Sequence, residues 1–167
     1  MSTHVLPESA YIIQEGVTKG LLDIHQLKLI KILELGCWSP FYGWDFSPHT
    51  CRSMHHLGYD ITWIDLLEQF SEEFPSIKLD ISDPKRLLEL GRSRFGLVFD
   101  NNFTWDNSCP YLKRKIKEVH WSWWDFLESL NQTIGEILMP GWVYIRWGYR
   151  SEFFIKKDWE LQNIKNI

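Results

Sequence analysis

Short apolar runs rich in β-branched and aromatic residues alternate along the chain with stretches of helical spacing. That is the pattern of an α/β sheet whose parallel strands are joined by helices. Residues 8–29 read as one or two helices, interrupted near Gly16 and Gly20. A first strand at 30–35 stops at Gly36, and an irregular loop over 37–45 holds Pro40 and Gly43. Ser47-Pro48 opens the next helix, a capping hydroxyl followed by the one residue whose missing N–H costs nothing at the first helical position. That helix runs to Leu57, with Gly58 as its C-terminal stop.

The same reading continues to the end of the chain. Strand two covers 60–64 and ends on Asp65; a short helix at 67–74 stops before Pro75. A third strand at 77–79 ends on Asp80, and Asp83-Pro84 opens a helix that Gly91 closes. Strand four, 95–99, ends on Asp100 and is followed by a polar and aromatic stretch over 101–111. A helix starts at about 113 or 121 and reaches 138; Met139-Pro140-Gly141 makes a turn, and 142–147 is strand five. The residues after Tyr149 leave room for about one helix.

The expected architecture is a single domain with a Rossmann-like, mainly parallel sheet of about five strands in the order 3-2-1-4-5. An N-terminal helical segment (1–29) precedes the core (30–149), and a short tail (150–167) follows it, so the fold reads as trimmed at its C-terminus. Parallel sheets bind their ligands at the carboxyl edge. Four strands here end in Gly36, Asp65, Asp80 and Asp100, which gathers polar groups along that one edge.

Composition narrows the classes. The chain has 167 residues, 44% hydrophobic and 24% charged, as a soluble globular domain does. Its net charge of −4 argues against a protein that works mainly by coating nucleic acid. Three widely spaced cysteines form no C-x-x-C pair, and none lies near histidines at zinc-site spacing, so no metal site is expected. No secretory leader and no apolar span long enough for a membrane is visible, which makes a cytoplasmic setting the default. The ten tryptophans stand out; among them Trp121, Trp123 and Trp124 read first as core or oligomer packing, with base stacking as the alternative. Lys113-Arg114-Lys115 with Lys117 reads as a solvated helix face that could also contact phosphate.

The order of the strand ends resembles the class I S-adenosylmethionine-dependent methyltransferases. Glu34-Leu35-Gly36-Cys37 looks like the start of that family's Gly-rich first motif. Asp65 matches the acid that binds the ribose hydroxyls, a task suited to a carboxylate because it can accept two hydrogen bonds. Asp80-Ile81 resembles the position that contacts adenine. The segment 95–100 is similar to the fourth-strand motif, with Asp100 facing the reaction and the acceptor entering past Phe103, Trp105 and Asp106. Leu138-Met139-Pro140-Gly141-Trp142 looks like the turn before strand five. The resemblance implies S-adenosylmethionine as cofactor, held by Glu34, Gly36, Trp38, Asp65, Asp80 and Ile81.

A narrower resemblance is to the FtsJ-type 2′-O-ribose methyltransferases, carried by residues 40–44, Asp65-Leu66-Leu67 and Asp80-Ile81-Ser82-Asp83. It implies a Lys-Asp-Lys-Glu tetrad. Here Asp100 fits the Asp, Arg146 stands at the strand-five Lys, and Glu152 could supply the Glu; Ile13 falls near the first Lys, with Lys19 the nearest substitute. An arginine cannot be deprotonated, so Arg146 could orient or balance charge but not act as base. Trp38 and Pro40 stand where the first motif of the class has glycines.

The leading expectation is therefore methyl transfer from S-adenosylmethionine, with Asp100 and Arg146 at the reaction centre. The acceptor is a small molecule or protein ahead of RNA, and self-association through exposed aromatic residues is expected. The alternative is a non-catalytic binding or scaffold module on the same fold. A nicotinamide-dependent oxidoreductase is a third reading, weakened by the absence of a Gly-x-Gly-x-x-Gly turn.

Overall fold

The computed structural model describes residues 8–36, 49–65, 73–101, 110–147 and 151–164. Its centre is a seven-stranded sheet in the order β3-β2-β1-β4-β5-β6-β7. The strands are β1 (Lys31–Leu35), β2 (Asp60–Asp65), β3 (Ser76–Lys78), β4 (Phe95–Asn101), β5 (Leu138–Trp147), β6 (Glu152–Lys157) and β7 (Glu160–Asn163). The helices are α1 (Glu8–Thr18), α2 (Ile24–Leu27), α3 (His49–His56), α4 (Pro110–Val119) and α5 (Trp123–Ile137), with a 3₁₀ helix at Pro84–Leu90.

The first five strands pair in parallel, in the expected order. β6 and β7 add on antiparallel, which makes the sheet mixed. The expectation of a trimmed fold with a helical tail is therefore corrected. Antiparallel strands need only a tight turn between them, not a crossover helix, so two strands fit into 152–163. The turn is made at Asp158, whose φ of 53° lies in the left-handed region that Asp tolerates.

Burial on both faces explains why the parallel strands are so apolar. On one face Leu33, Leu35, Ile64, Val98, Tyr144 and Phe154 pack under α5 and the 3₁₀ helix. On the other, Ile32, Ile61, Trp63, Leu97, Phe99 and Phe153 pack under α1, α2 and α3. In α5, Phe126, Leu130 and Ile134 recur every four residues and are wholly buried. Truncating one of them removes about 3 kcal/mol or more.

Other boundaries move for local reasons. Gly16 does not interrupt α1; it sits inside the helix because a side chain there would strike Leu22 and Phe153. Met139-Pro140-Gly141 does not form a free turn but belongs to β5, where Gly141 takes φ 81° and the register against β4 slips between Phe95 and Leu97. The single helix expected before strand five is two, divided at His120 to Ser122. Asp83 and Gly91 do bound the segment between them, but it winds as a 3₁₀ helix. The expected loop at 37–45, the Ser47-Pro48 helix opening and most of the helix at 67–74 lie outside the described residues.

Two tests follow from this packing. A Cβ on Gly96 would lie 2.8 Å from Ile30 Cβ and 3.0 Å from its Cγ2. Gly96→Ala is expected to destabilise by about 1–3 kcal/mol in urea unfolding, and adding Ile30→Ala to recover part of the loss. Lys156 is buried on β6, where its Nζ donates to the Leu138 carbonyl at 2.6 Å. Burial lowers its pKa below the ordinary 10.5. Between the lowered value and 10.5 the unfolded chain holds a proton that the native chain has released, so stability rises with pH across that window. Comparing wild type with Lys156→Met in unfolding experiments from neutral pH upward, the difference should shift toward wild type as pH rises.

Candidate functional site

The sheet order reverses between β1 and β4, and the crevice at the carboxyl ends of those strands is where open α/β sheets take ligands. Leu35 pairs with Asp100 across this switch and with Ile64 on the other side. Gly36 follows at once, its N–H donating to the Ile64 carbonyl at 2.9 Å.

The acids that end the strands are not solvated. Glu34 is 3% exposed, Asp65 2% and Asp100 0%. A buried carboxylate is tolerated only when hydrogen-bonded, so each must be held by its neighbours. Alternation along the strands sends them to opposite faces. Glu34 faces the side of α3, where the Cys51 thiol donates to its Oε2 at 2.8 Å. Asp65 lies on the same side, against Gly36 and Trp63. A Cβ on Gly36 would sit 3.2 Å from Asp65 Oδ2 and 3.1 Å from Trp63 Cε2, so only glycine fits there.

Asp100 turns to the face beneath α5. Its Oδ2 accepts a hydrogen bond from the Tyr144 hydroxyl at 3.3 Å, and both side chains are fully buried. Register puts Asp100 opposite Arg146 on β5, and Arg146 opposite Glu152 on β6, one row across three strands. The Arg146 Nε donates to Glu152 Oε2 at 2.8 Å. The guanidinium lies 4.9 Å from the centre of the Phe154 ring, which also stacks on Tyr144 at 5.3 Å. Burial, then the neighbouring Asp100 carboxylate, push the Tyr144 phenol well above its ordinary pKa. Tyr144 therefore stays a proton donor to Asp100 through the neutral range.

The structure thus brings Gly36, Asp65 and Glu34 together on one face, and Asp100, Arg146 and Glu152 together on the other. Asp80 stands at the same edge, but its Oδ1 accepts the Ser82 N–H at 3.0 Å in a local turn. Ile81 packs inside the core beneath the 3₁₀ helix and presents no side chain at the edge. Trp38, Phe103, Trp105 and Asp106 lie outside the described residues. Lys19 follows the end of α1, its Nζ 3.9 Å from Glu15 Oε1.

Sequence reasoning missed Tyr144, Trp63 and Cys51. Tyr144 carried a signal: it stands two residues before Arg146 on one strand and so shares its face. Cys51 had been weighed only as a disulfide or metal ligand, not as a donor to a buried acid.

Comparison with protein-family models, with curated proteins and with solved structures returned no significant match.

The phenol of Tyr144 gives the site a spectroscopic handle. In an alkaline titration followed by tyrosinate absorbance, one of the six tyrosines should ionise only as the protein unfolds, and Tyr144→Phe should remove that late step. A native titration in which every tyrosine ionises at its ordinary pH would contradict the buried pair.

Proposed function

We propose that the carboxyl edge binds S-adenosylmethionine and that the chain transfers the cofactor's methyl group to an acceptor entering beside Asp100. The observation that carries this reading is the buried Asp65 carboxylate set against a side-chain-free Gly36 at the point where the strand order reverses. A carboxylate is an acceptor-only group with room for two hydroxyl donors, which suits a ribose diol. Glycine lets a ligand approach the backbone closely, here once the Trp63 indole packed beside Gly36 gives way. These residues fit the adenosyl group, and Asp65 and Gly36 would hold it, with Asp80 further along the edge.

When bound, the cofactor supplies a methyl group already activated by its sulfonium, so the protein's contribution is placement. Asp100, fixed by the Tyr144 hydroxyl, marks one side of the acceptor's position. Arg146, held by Glu152 and the Phe154 ring, sets a permanent positive charge beside it. That charge can orient an acceptor but cannot take its proton.

A second reading has its own observation. The Trp63 indole fills the space beside Gly36, and Trp38 and Pro40 stand where glycines would otherwise line the loop. Both favour a binding module that keeps the sheet and has lost the cofactor.

Calorimetric titration with S-adenosylmethionine and S-adenosylhomocysteine separates the two. The proposal expects micromolar binding of both, weakened at least about tenfold in Asp65→Asn through loss of a charged acceptor. Absence of heat from protein shown to be folded by circular dichroism would leave the binding-module reading.

A further inference from the structure

The sequence reading placed Trp121, Trp123 and Trp124 in packing, and the structure divides them. Trp123 is half-buried and packs on Phe126, ring centres 5.3 Å apart. Trp121 is 99% exposed and Trp124 is 77% exposed. Trp121 precedes Ser122, the residue that caps α5 through the Asp125 N–H. An apolar residue in that place commonly folds back onto the helix's first turn. Trp121 makes no such contact and offers its whole ring to solvent. Trp121 and Trp124 stand on either side of the Ser122 cap, both at the start of α5.

Cations stand immediately before them. Lys113, Arg114 and Lys117 are exposed and fall within an arc of about 100° on α4, flanked by the buried Ile116. On α4 the acid Glu118 pairs with Lys115 at 2.8 Å, while the exposed Asp125 and Glu128 put their charge on α5, Asp125 accepting from the neutral Ser122 hydroxyl. A chain of net charge −4 thus carries a local positive stripe joined to two bare indoles. The patch sits at the edge that holds the strand-end acids. α5 runs directly into the start of β5, so its first turn lies at the carboxyl end of the sheet. His120 Nε2 donates to the carbonyl of Ser82, just beyond β3, at 3.0 Å.

We infer that this corner is a docking surface for single-stranded nucleic acid, with Trp121 and Trp124 stacking on unpaired bases and the α4 cations facing the phosphates. Indole faces stack on any base, and lysines one helical turn apart suit a polyanion of regular spacing. A bilayer is the poorer match, because Ile116 of α4 is buried in the protein and, among the described residues, no helix offers a continuous apolar face to insert. Two rings and Val119 are also far less surface than a stable dimer needs, about 800 Å² per partner.

Fluorescence anisotropy of a labelled short oligouridylate, read at low salt and without cofactor, tests this independently of the methyl-transfer reading. Binding is expected to be salt-dependent and weaker for the duplex with oligoadenylate. Trp121→Ala and Trp124→Ala should each weaken it about five- to a hundredfold, with Trp124→Tyr retaining most of the affinity. Lys113→Ala and Lys117→Ala should each flatten the salt dependence by about 0.7 in the logarithmic slope. All these side chains are exposed, so the variants should melt as wild type does. The inference is overturned by absent binding, or by binding indifferent to both tryptophans. It is equally overturned if the same substitutions instead abolish sedimentation with phosphatidylserine-containing vesicles, or abolish a dimer seen by ultracentrifugation.

Discussion

Three carboxylates without water are the constraint on which this structure turns. Glu34, Asp65 and Asp100 sit at the ends of three adjacent parallel strands and are almost wholly buried. Leaving even one unpaired would cost a large part of a small domain's stability. The surrounding structure answers that cost locally. α3 brings the Cys51 thiol to Glu34, and β5 brings the Tyr144 hydroxyl to Asp100. Gly36 gives up its side chain so that Asp65 and Trp63 can close against the backbone. Apolar residues in these places would make a simpler core. Acids kept there at such cost are the ground on which the edge is proposed as the functional site.

The two-residue period of a strand then divides that edge. Asp65 and Glu34 look toward α3, Asp100 toward α5, and β1 runs between them. Neighbouring strands are about 4.8 Å apart, so the two acid groups lie on either side of a ridge about two strands wide. A ligand held by Asp65 on one face meets the Asp100–Arg146–Glu152 row only across the end of β1. In the proposed reaction that geometry would separate holding from reacting, with the stacked Tyr144, Phe154 and Arg146 side chains as a wall behind the reacting side.

The parallel half was legible in the sequence because parallel strands are buried on both faces and announce themselves as apolar runs, each closed here by Gly36, Asp65, Asp80 or Asp100. The row of Asp100, Arg146 and Glu152 was legible as residue types, though not as a row, since register across β4, β5 and β6 cannot be counted from spacing alone. The C-terminal hairpin was not legible. Residues 152–157 read as a short tail because the turn at Asp158 and Trp159 lacks the usual glycine, and the left-handed residue is an aspartate. The 3₁₀ winding of Pro84–Leu90 shares its cap and stop signals with an α-helix, so sequence could place its ends but not its pitch. Exposure of Trp121 ran against the expectation that large rings pack, and only coordinates could separate it from Trp123.

The charge row also limits what chemistry the proposed site could perform. From core to surface it runs from the fully buried Asp100, already accepting a phenol proton, through a permanent guanidinium, to the half-buried Glu152 bound to that guanidinium. Asp100 already accepts the phenol hydrogen bond, Glu152 is bound to the guanidinium, and Arg146 is no base at all. Such a row is poorly suited to stripping a proton from an alcohol, whose oxygen attacks well only once ionised. It suits a nucleophile that already carries an available lone pair, such as a ring nitrogen, which needs only to be held in line. Unpaired bases offer such nitrogens, and under the docking proposal the exposed indoles of Trp121 and Trp124 at the same edge would hold them. On the proposed methyl-transfer reading, the missing lysine and the exposed tryptophans would favour the same acceptor, a base rather than a sugar hydroxyl.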